Sequence, residues 1–198
     1  MTDASPPRRR EGGRNARVRE AVRDAAKAEL LQNGILGLSH RAVADRAGVD
    51  PSTVYRRWPT RADLLADILV SVSDDAVAIP DTGTLESDLT AYLEQVATAL
   101  SNPVHERLVR WAMAAGDGSD ETADAAIAAF WTHRFQQAMA VIDRASERGE
   151  AGLGLDGLRL IERLVAPVWF RLLVLRKPVD KAFVKDCVAE ALSTHPVT

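Results

Sequence analysis

The stretch LSHRAVADRAGVDPSTVYRRWPTRADLL, Leu38–Leu65, contains the signals that decide the fold of this chain. Ser39 and Asp50 each precede a helical pattern, where their side chains accept hydrogen bonds from the free amides of a helix N-terminus. Gly48 supplies the left-handed residue that commonly ends a helix, and Pro59 disfavours helical geometry in the residue before it. The spacing predicts two short helices joined by a tight turn, which is the helix-turn-helix layout.

The rest of the chain shows the same helical periodicity. Apolar residues recur at three- and four-residue spacing from Arg14 to Asn33 and again in segments between Asp63 and Leu192. No segment alternates apolar and polar residues as a half-buried strand does. We therefore predict an all-α fold class, with Gly34 ending the first helix.

Charge is distributed unevenly, although the formal net charge is only -3 at pH 7. Through Arg61 there are thirteen Lys and Arg against seven Asp and Glu, so this part carries six excess positive charges. The remainder carries nine excess negative charges. A basic end on an acidic body is typical of a protein that binds a polyanion at one end. The charge distribution alone also fits a solvated surface with a charged tail. The helix pattern therefore has to decide between this interpretation and polyanion binding.

The second helix of the pair, Pro51–Trp58, has two different faces. Val54 and Trp58 are four residues apart and are expected to pack on the preceding helix. The opposite face is small at its start and basic further along, which fits a helix inserted into a major groove of DNA. We expect Arg56 to reach base edges and Arg61 to contact a phosphate. The predicted DNA contacts are Ser39, His40, Arg41, Pro51, Ser52, Thr53, Tyr55, Arg56, Arg57 and Arg61.

This region resembles the N-terminal domain of TetR-family transcriptional regulators. The resemblance rests on the segments Val43–Val49, Ser52–Trp58 and Arg61–Leu65, preceded by Gly34 and Ser39. One departure is Ser39, where threonine is frequent in the family. The resemblance implies a homodimeric repressor on a palindromic operator in double-stranded DNA, released when a small molecule binds the C-terminal domain.

The domain organisation follows from these patterns. Residues 1–13 have no apolar periodicity and are expected to form a flexible basic arm. Residues 14–62 form the predicted three-helix DNA-binding domain, and residues 63–198 a helical effector-binding and dimerisation domain. We expect a cytoplasmic protein, because the single Cys187 forms no internal disulfide and no apolar run reaches the roughly 18 residues of a membrane helix.

The aromatic residues between Trp111 and Trp169 indicate where an effector binds. Apolar walls with few polar groups are typical of pockets for drug-sized molecules, so we expect a hydrophobic or amphipathic ligand. Aromatic residues at helical spacing also form ordinary cores, and the sequence leaves both uses open. The predicted pocket residues are Trp111, Met113, Phe130, Trp131, His133, Arg134, Phe135 and Trp169, with His105 as a further polar contact.

The last two predicted helices, at 158–175 and 179–192, carry more apolar residues than one buried face requires. A four-helix contact between two copies of the chain would cover them. Such a dimer would place two recognition helices one DNA turn apart, roughly 34–36 Å. The predicted interface residues are Leu164, Val168, Leu172, Phe183 and Cys187, and their alternative use is to complete the core of one protomer.

The sequence contains no signal of catalysis. Gly152–Gly157 matches a dinucleotide-binding pattern, but it follows a charged helix end instead of a strand, so Asp156 is expected to cap a helix. The four histidines lack the spacing of metal ligands. We therefore expect no enzyme activity, cofactor or metal. Two alternatives remain open: a DNA-binding dimer without a small-molecule effector, and an all-α ligand-binding or interaction module that no longer binds DNA.

Overall fold

The computed structural model describes residues 11–115, 120–150 and 155–193. Within these ranges the chain is helical and contains no strand, which confirms the all-α prediction. None of the described helices is both long and apolar enough to cross a bilayer. The helices are α1 Glu11–Gly37, α2 His40–Ala47, α3 Pro51–Arg57, α4 Arg61–Ala76, α5 Leu85–Ser101, α6 Pro103–Ala115, α7 Glu121–Glu147, α8 Gly157–Trp169 and α9 Lys181–Ser193, with a π-helical turn at Phe170–Val174 after α8.

The caps predicted from the sequence hold α2 and α3 in place. Ser39 Oγ accepts from the amide of Ala42 at 3.2 Å, and Asp50 Oδ1 accepts from the amide of Ser52 at 2.8 Å. Gly48 has a φ of 65°, and its N–H donates to two carbonyls of the last turn of α2. These local bonds fix where α2 ends and α3 begins.

The first helix, α1, differs from its prediction at both ends. It begins at Glu11, so the last three residues of the predicted arm are helical, while residues 1–10 lie outside the described part of the chain. Gly34 has the left-handed φ expected of a helix end, at 70°. Helical geometry then resumes as far as Gly37, so the glycine produces a kink within α1.

The described residues form two buried hydrophobic clusters. The N-terminal core contains residues of α1, α2, α3 and α4, together with Leu108 of α6 and Ala126 of α7. The C-terminal core joins α5, α7, α8 and α9. At the start of α8, Gly157 allows close packing on α7, because a Cβ there would lie 2.6 Å from Met139 Cε. The α7 helix therefore packs into both cores.

Ion pairs join helices that are distant in sequence. Arg23 on α1 donates to Asp67 on α4 through Nη2 at 2.6 Å and through Nε at 2.9 Å. Burial opposes ionisation of Asp67, but the bonds and charges of Arg23 and Arg19 outweigh it and lower the pKa of the carboxyl. The fully buried Asp88 accepts from Arg148 at 3.0 Å, which joins α5 to the end of α7.

Candidate DNA-binding surface and ligand cavity

The recognition-helix candidate, α3, exposes one face and buries the other. Val54 is fully buried and Trp58 is 5% exposed, and both belong to the N-terminal core. Tyr55 is 52% exposed, and Arg56 and Arg57 are also exposed. The helix therefore presents a polar, basic surface to its surroundings and is held from behind by apolar side chains.

The structure places His40 inside the protein, although the sequence pattern predicts it as a DNA contact. His40 is 6% exposed, and its Nε2 donates to the carbonyl of Trp58 at 2.7 Å. Its ring stacks on Tyr55 with centroids 4.3 Å apart and 10° between the planes. His40 therefore holds the end of α3 by its hydrogen bond and the ring of Tyr55 by stacking. Because it is buried, His40 itself is not placed to contact DNA.

The remaining predicted DNA contacts lie on or just before α2, on α3 and at the start of α4. The Arg57 guanidinium carbon lies 5.6 Å from the centroid of the Trp58 ring. Arg61, in the first turn of α4, donates through Nη2 to Asp120 Oδ2 at 3.3 Å. Exposed at the surface are Ser39, Arg41 and Ser52, while Pro51 and Thr53 are half-buried.

A cavity of about 250 Å³ lies between α4, α5, α6, α7 and α8. Its wall is mostly apolar, and Trp131 and Trp169 meet there with ring centroids 5.2 Å apart. The predicted residues that line it are Met113, Phe130, Trp131, Arg134, Phe135 and Trp169, together with His105. The sequence therefore indicated the right helices for much of one wall.

Two residues of the predicted pocket lie elsewhere. Trp111 packs against the N-terminal core, and His133 faces Asp74, with Nε2 3.2 Å from Oδ2. The reason is helical periodicity, since residues three and four apart share a face. On α6 the cavity-lining face passes through His105, and Trp111 lies off that face.

Other residues of the cavity wall were not predicted. They include Leu69 and Val72 of α4, Tyr92 and Val96 of α5, and Ile161 and Val165 of α8. Each has the apolar spacing of an ordinary core residue, so no sequence pattern indicates that it faces a cavity. These positions differ from ordinary core positions only in how the five helices are arranged around them.

The polar side chains of the described cavity wall include Arg134 and His105, besides the hydroxyls of Ser73 and Tyr92. Arg134 Nη1 donates to Gln137 Oε1 at 3.0 Å and to Asp74 Oδ1 at 3.2 Å, and lies 3.4 Å from the carbonyl of Val77. On α6, burial and then the positive charge of Lys27 lower the pKa of His105, which favours a neutral ring. The cavity thus combines one buried cation with one neutral imidazole.

Comparison with known proteins identifies the family. Residues 22–68 match the model described as bacterial regulatory proteins of the tetR family, and residues 79–191 match the tetracyclin repressor-like C-terminal domain. The chain belongs to the TetR family. It is therefore a DNA-binding transcriptional regulator, and the helix pair α2–α3 is its helix-turn-helix.

Several relatives of this TetR-family regulator have been described. The HTH-type transcriptional regulator AqdR of Rhodococcus erythropolis is 33% identical over 156 residues, which cover 79% of this chain and 74% of AqdR. The crystal structure of the TetR-family regulator SCO0332 is 30% identical, with a TM-score of 0.72 over 89% of this chain and 97% of that one. FadR of Bacillus subtilis, solved with stearoyl-CoA, shares the fold at 16% identity, with a TM-score of 0.60 over 88% and 98%.

Three of the five residues predicted at a dimer interface of this TetR-family regulator lie inside the protomer. Leu164, Val168 and Cys187 are buried in the C-terminal core, whereas Leu172 and Phe183 are half-buried against it, so their place at an interface stays a prediction. The apolar face of α8 is covered by α5 and α7 of the same chain, which the sequence could not show. Exposed apolar side chains on this part of the chain are instead Leu158, Phe170, Val174 and Leu175.

Side chains suited to metal binding are not clustered in the described parts of this regulator. Cys187 is buried, and burial raises the pKa of its thiol, which favours the unreactive protonated form. Asp156 caps α8, since its Oδ1 accepts from the amide of Arg159 at 3.0 Å. The glycine-containing segment before it is therefore followed by an ordinary capped helix, although residues 151–154 are outside the described ranges.

Proposed function

We propose that this TetR-family regulator is a homodimeric repressor that leaves a palindromic operator when a small, largely apolar molecule enters the cavity. The observation that carries the proposal is the two-sided α3, with Tyr55, Arg56 and Arg57 exposed over buried Val54 and Trp58. A short, rigidly anchored helix with this surface fits the major groove of DNA. The six excess positive charges up to Arg61 favour its approach to phosphate.

The contacts to DNA divide into base reading and positioning. Arg56 is exposed and a full turn beyond Ser52, so its guanidinium is suited to the two acceptors of guanine. Ser39 and Arg41 lie at the start of α2, where the motif crosses the phosphate backbone. Tyr55 presents its hydroxyl from a ring that His40 holds by stacking. Arg61 is the first residue of α4, and its hydrogen bond to Asp120 competes with a phosphate contact.

A second copy of the chain is the proposed partner for the exposed apolar residues after Pro167. Phe170 is 55% exposed and Val174 is 60% exposed, values that a second copy would reduce by burial. Both residues belong to the π-helical turn that follows the proline within α8. One helix-turn-helix reads one half-site, so a palindromic operator requires two copies related by a two-fold axis.

The cavity is the proposed effector site, and α4 connects it to the DNA-binding helices. Leu64 and Leu65 near the start of α4 pack in the N-terminal core with Trp58. Val72 and Ala76 near its end line the cavity. A ligand that changes the position of the cavity wall therefore acts on the same helix that supports α3. FadR, another protein of this fold, was crystallised with stearoyl-CoA, an amphiphile with a long apolar chain.

The DNA-binding part is tested with an operator selected from a random duplex pool by the full-length protein. We expect Arg56→Ala to weaken operator binding by about 1–3 kcal/mol and to relax the base preference at one position of each half-site. Arg61→Ala is expected to weaken binding to operator and random duplex alike and to reduce the salt slope by about one. Fluorescence anisotropy at two salt concentrations measures both effects.

The matched control is Arg107→Ala, because Arg107 is an exposed arginine on α6. It should bind both duplexes as the unsubstituted protein does. Equal losses for Arg56→Ala on operator and random duplex would contradict the base-reading role. A protein that binds no duplex at low ionic strength would contradict DNA binding altogether.

The dimer is tested by sedimentation equilibrium. Phe170→Glu places a charge in the proposed contact and should shift the protein toward the monomer mass and reduce operator affinity. Ala125→Glu adds the same charge at an exposed position on α7 and should leave the mass unchanged. A monomeric unsubstituted protein, or a Phe170→Glu variant that remains dimeric, would contradict this interface.

A further inference from the structure

Arg134 is a buried cation in the wall of an otherwise apolar cavity. Its side chain is 7% exposed, on a helix whose neighbouring cavity residues include Phe130, Trp131 and Phe135. Within the described part of the chain, no other side chain of the wall carries a permanent charge. Taking a guanidinium out of water is costly unless its hydrogen bonds and its charge are matched.

Among the described residues, the hydrogen bonds of Arg134 use one of its three nitrogens. Asp74, Gln137 and Val77 all contact Nη1. Across residues 11–115, 120–150 and 155–193 no group accepts from Nε or Nη2. These two nitrogens carry three N–H groups, and together they form one of the flat edges that bind both oxygens of a carboxylate.

The countercharge of Arg134 is Asp74, which is not among the residues of the cavity wall. The Asp74 side chain is 36% exposed, and His133 shares its carboxylate, with Nε2 at 3.2 Å from Oδ2. No Asp or Glu is among the described side chains of the cavity wall. The described wall of the cavity therefore supplies no anion of its own beside the guanidinium, which favours an anionic ligand over a cationic one.

His105 offers a second polar point on the α6 wall. Its Nδ1 is buried and has no hydrogen-bond partner among the described residues. Burial and then the charge of Lys27 lower the pKa of the ring, which favours its neutral form. A neutral imidazole pairs with a hydroxyl or carbonyl of a ligand and does not supply a second positive charge.

We propose that the effector is an apolar carboxylate, whose two oxygens accept from Nε and Nη2 of Arg134 while its body lies against Trp131, Phe135 and Trp169. This inference rests on the proposed function, since it names the chemical class of the molecule that enters the cavity. An apolar body accounts for the aromatic walls, and the carboxylate accounts for the open edge of the guanidinium.

The first test uses the unsubstituted full-length protein and three probes with the same ten-carbon chain. Decanoate, decanol and decylammonium are titrated at pH 7.5 by calorimetry, below the concentrations at which they form micelles. Quenching of tryptophan fluorescence reports on the cavity, since Trp131 and Trp169 line it. We expect decanoate to bind at least tenfold more tightly than either of the other two.

Decanol or decylammonium binding as tightly as decanoate would overturn the proposal, and so would the absence of binding by all three probes. A purely structural role for Arg134, as a link between α7 and the end of α4, gives no headgroup preference. The probe series therefore separates ligand recognition from structural support without any substitution.

The second test uses variants of the arginine. Arg134→Gln should reduce decanoate affinity at least tenfold and change decanol affinity less than threefold. Arg134→Lys keeps the charge but not the flat edge, so it should give an intermediate decanoate affinity. Arg107→Gln is the control for loss of an arginine outside the cavity and should bind decanoate normally. Equal losses of decanoate and decanol in a folded Arg134→Gln variant would overturn the proposal, and if that variant does not fold, the probe series decides.

Operator binding, measured in the same samples, separates this proposal from the proposed function. A protein that prefers decanoate but stays on its operator when decanoate is bound would uphold the carboxylate site and contradict ligand-driven release. A protein that is released from its operator by a neutral or cationic amphiphile, with no preference for decanoate, would uphold release and overturn the carboxylate site.

Discussion

The helix-turn-helix and the cavity of this protein are built in opposite ways. In α2 and α3, side chains next to each other in sequence determine the geometry, as when Asp50 caps the helix that Trp58 ends. In the cavity, five helices must assemble before any of the wall residues meet, and they leave about 250 Å³ unfilled. The helix-turn-helix is defined by local hydrogen bonds and dense packing, and the ligand site by a cavity that the helices leave unfilled.

This contrast explains what each region is suited to do. A surface that reads DNA must hold its side chains in fixed positions before binding, because disorder there lowers affinity. A ligand site needs room and a wall that adjusts. The single helix α4 takes part in both, since Leu64 lies in the N-terminal core and Val72 lines the cavity.

The largest expected difference between the regions comes from removing a tryptophan. Trp58→Ala should lower the free energy of unfolding by about 3–5 kcal/mol, because Trp58 is 5% exposed in a filled core. Trp169→Ala should cost about half as much, because one side of Trp169 already faces the cavity. Urea unfolding followed by circular dichroism measures both. Equal costs would contradict the distinction between a filled and a hollow region.

A second difference, smaller in size, concerns added volume. Ala44→Leu should destabilise the protein by about 1–3 kcal/mol, because Ala44 is fully buried in the N-terminal core. The same change at Ala112, in the cavity wall, should stabilise the ligand-free protein by roughly 0.5–2 kcal/mol. Thermal unfolding of the two variants provides the comparison. A destabilised Ala112→Leu variant would indicate that the cavity is filled in solution.

The smallest expected effect concerns acidity. The pKa of His105 is lowered by burial and by Lys27, against smaller opposing contributions from the Ala99 backbone and Asp75. The unfolded chain therefore takes up a proton on this ring more readily than the folded chain does. Stability should fall as the pH decreases from about 6.5 through the lower folded pKa, and be unaffected by this group above that range.

The measurement is the change in Tm between pH 7.5 and pH 5.5. His105→Gln removes the titrating ring and should show a smaller decrease than the unsubstituted protein. The carboxyls of Asp67 and Asp88 also have lowered pKa values, but they titrate below this interval and affect both proteins equally. An identical decrease in both proteins would exclude a contribution of His105 to acid sensitivity.

The sequence was most informative where local chemistry determines structure. Ser39, Gly48 and Asp50 predicted the ends of α2 and α3 because caps and left-handed glycines act over a few residues. The side chains that face outward on α3 followed from the same helix boundaries. His40 was the exception, because its bond to the Trp58 carbonyl spans eighteen residues and depends on how α2 and α3 cross.

The cavity and the interface were predictable only in part. Aromatic residues on α7 indicated one wall, whereas Tyr92 and Ile161 look like core residues in the sequence. Leu164 and Val168 were expected at a subunit interface because the sequence does not show that α5 and α7 cover them. The hydrogen bond from Arg134 to Asp74 joins two residues that are 60 positions apart, on α7 and α4, and no local sequence pattern indicates it.

The shared position of α4 has a consequence for how this protein can change during evolution. Substitutions on α5 or α8, such as at Val96 or Val165, alter the shape of the cavity at residues that do not belong to the N-terminal core. A substitution at Leu69 or Val72 changes both at once, because each belongs to that core and to the cavity wall. We therefore expect changes in ligand specificity to arise through substitutions on α5 and α8. Substitutions that abolish the response to all ligands are expected to be concentrated on α4.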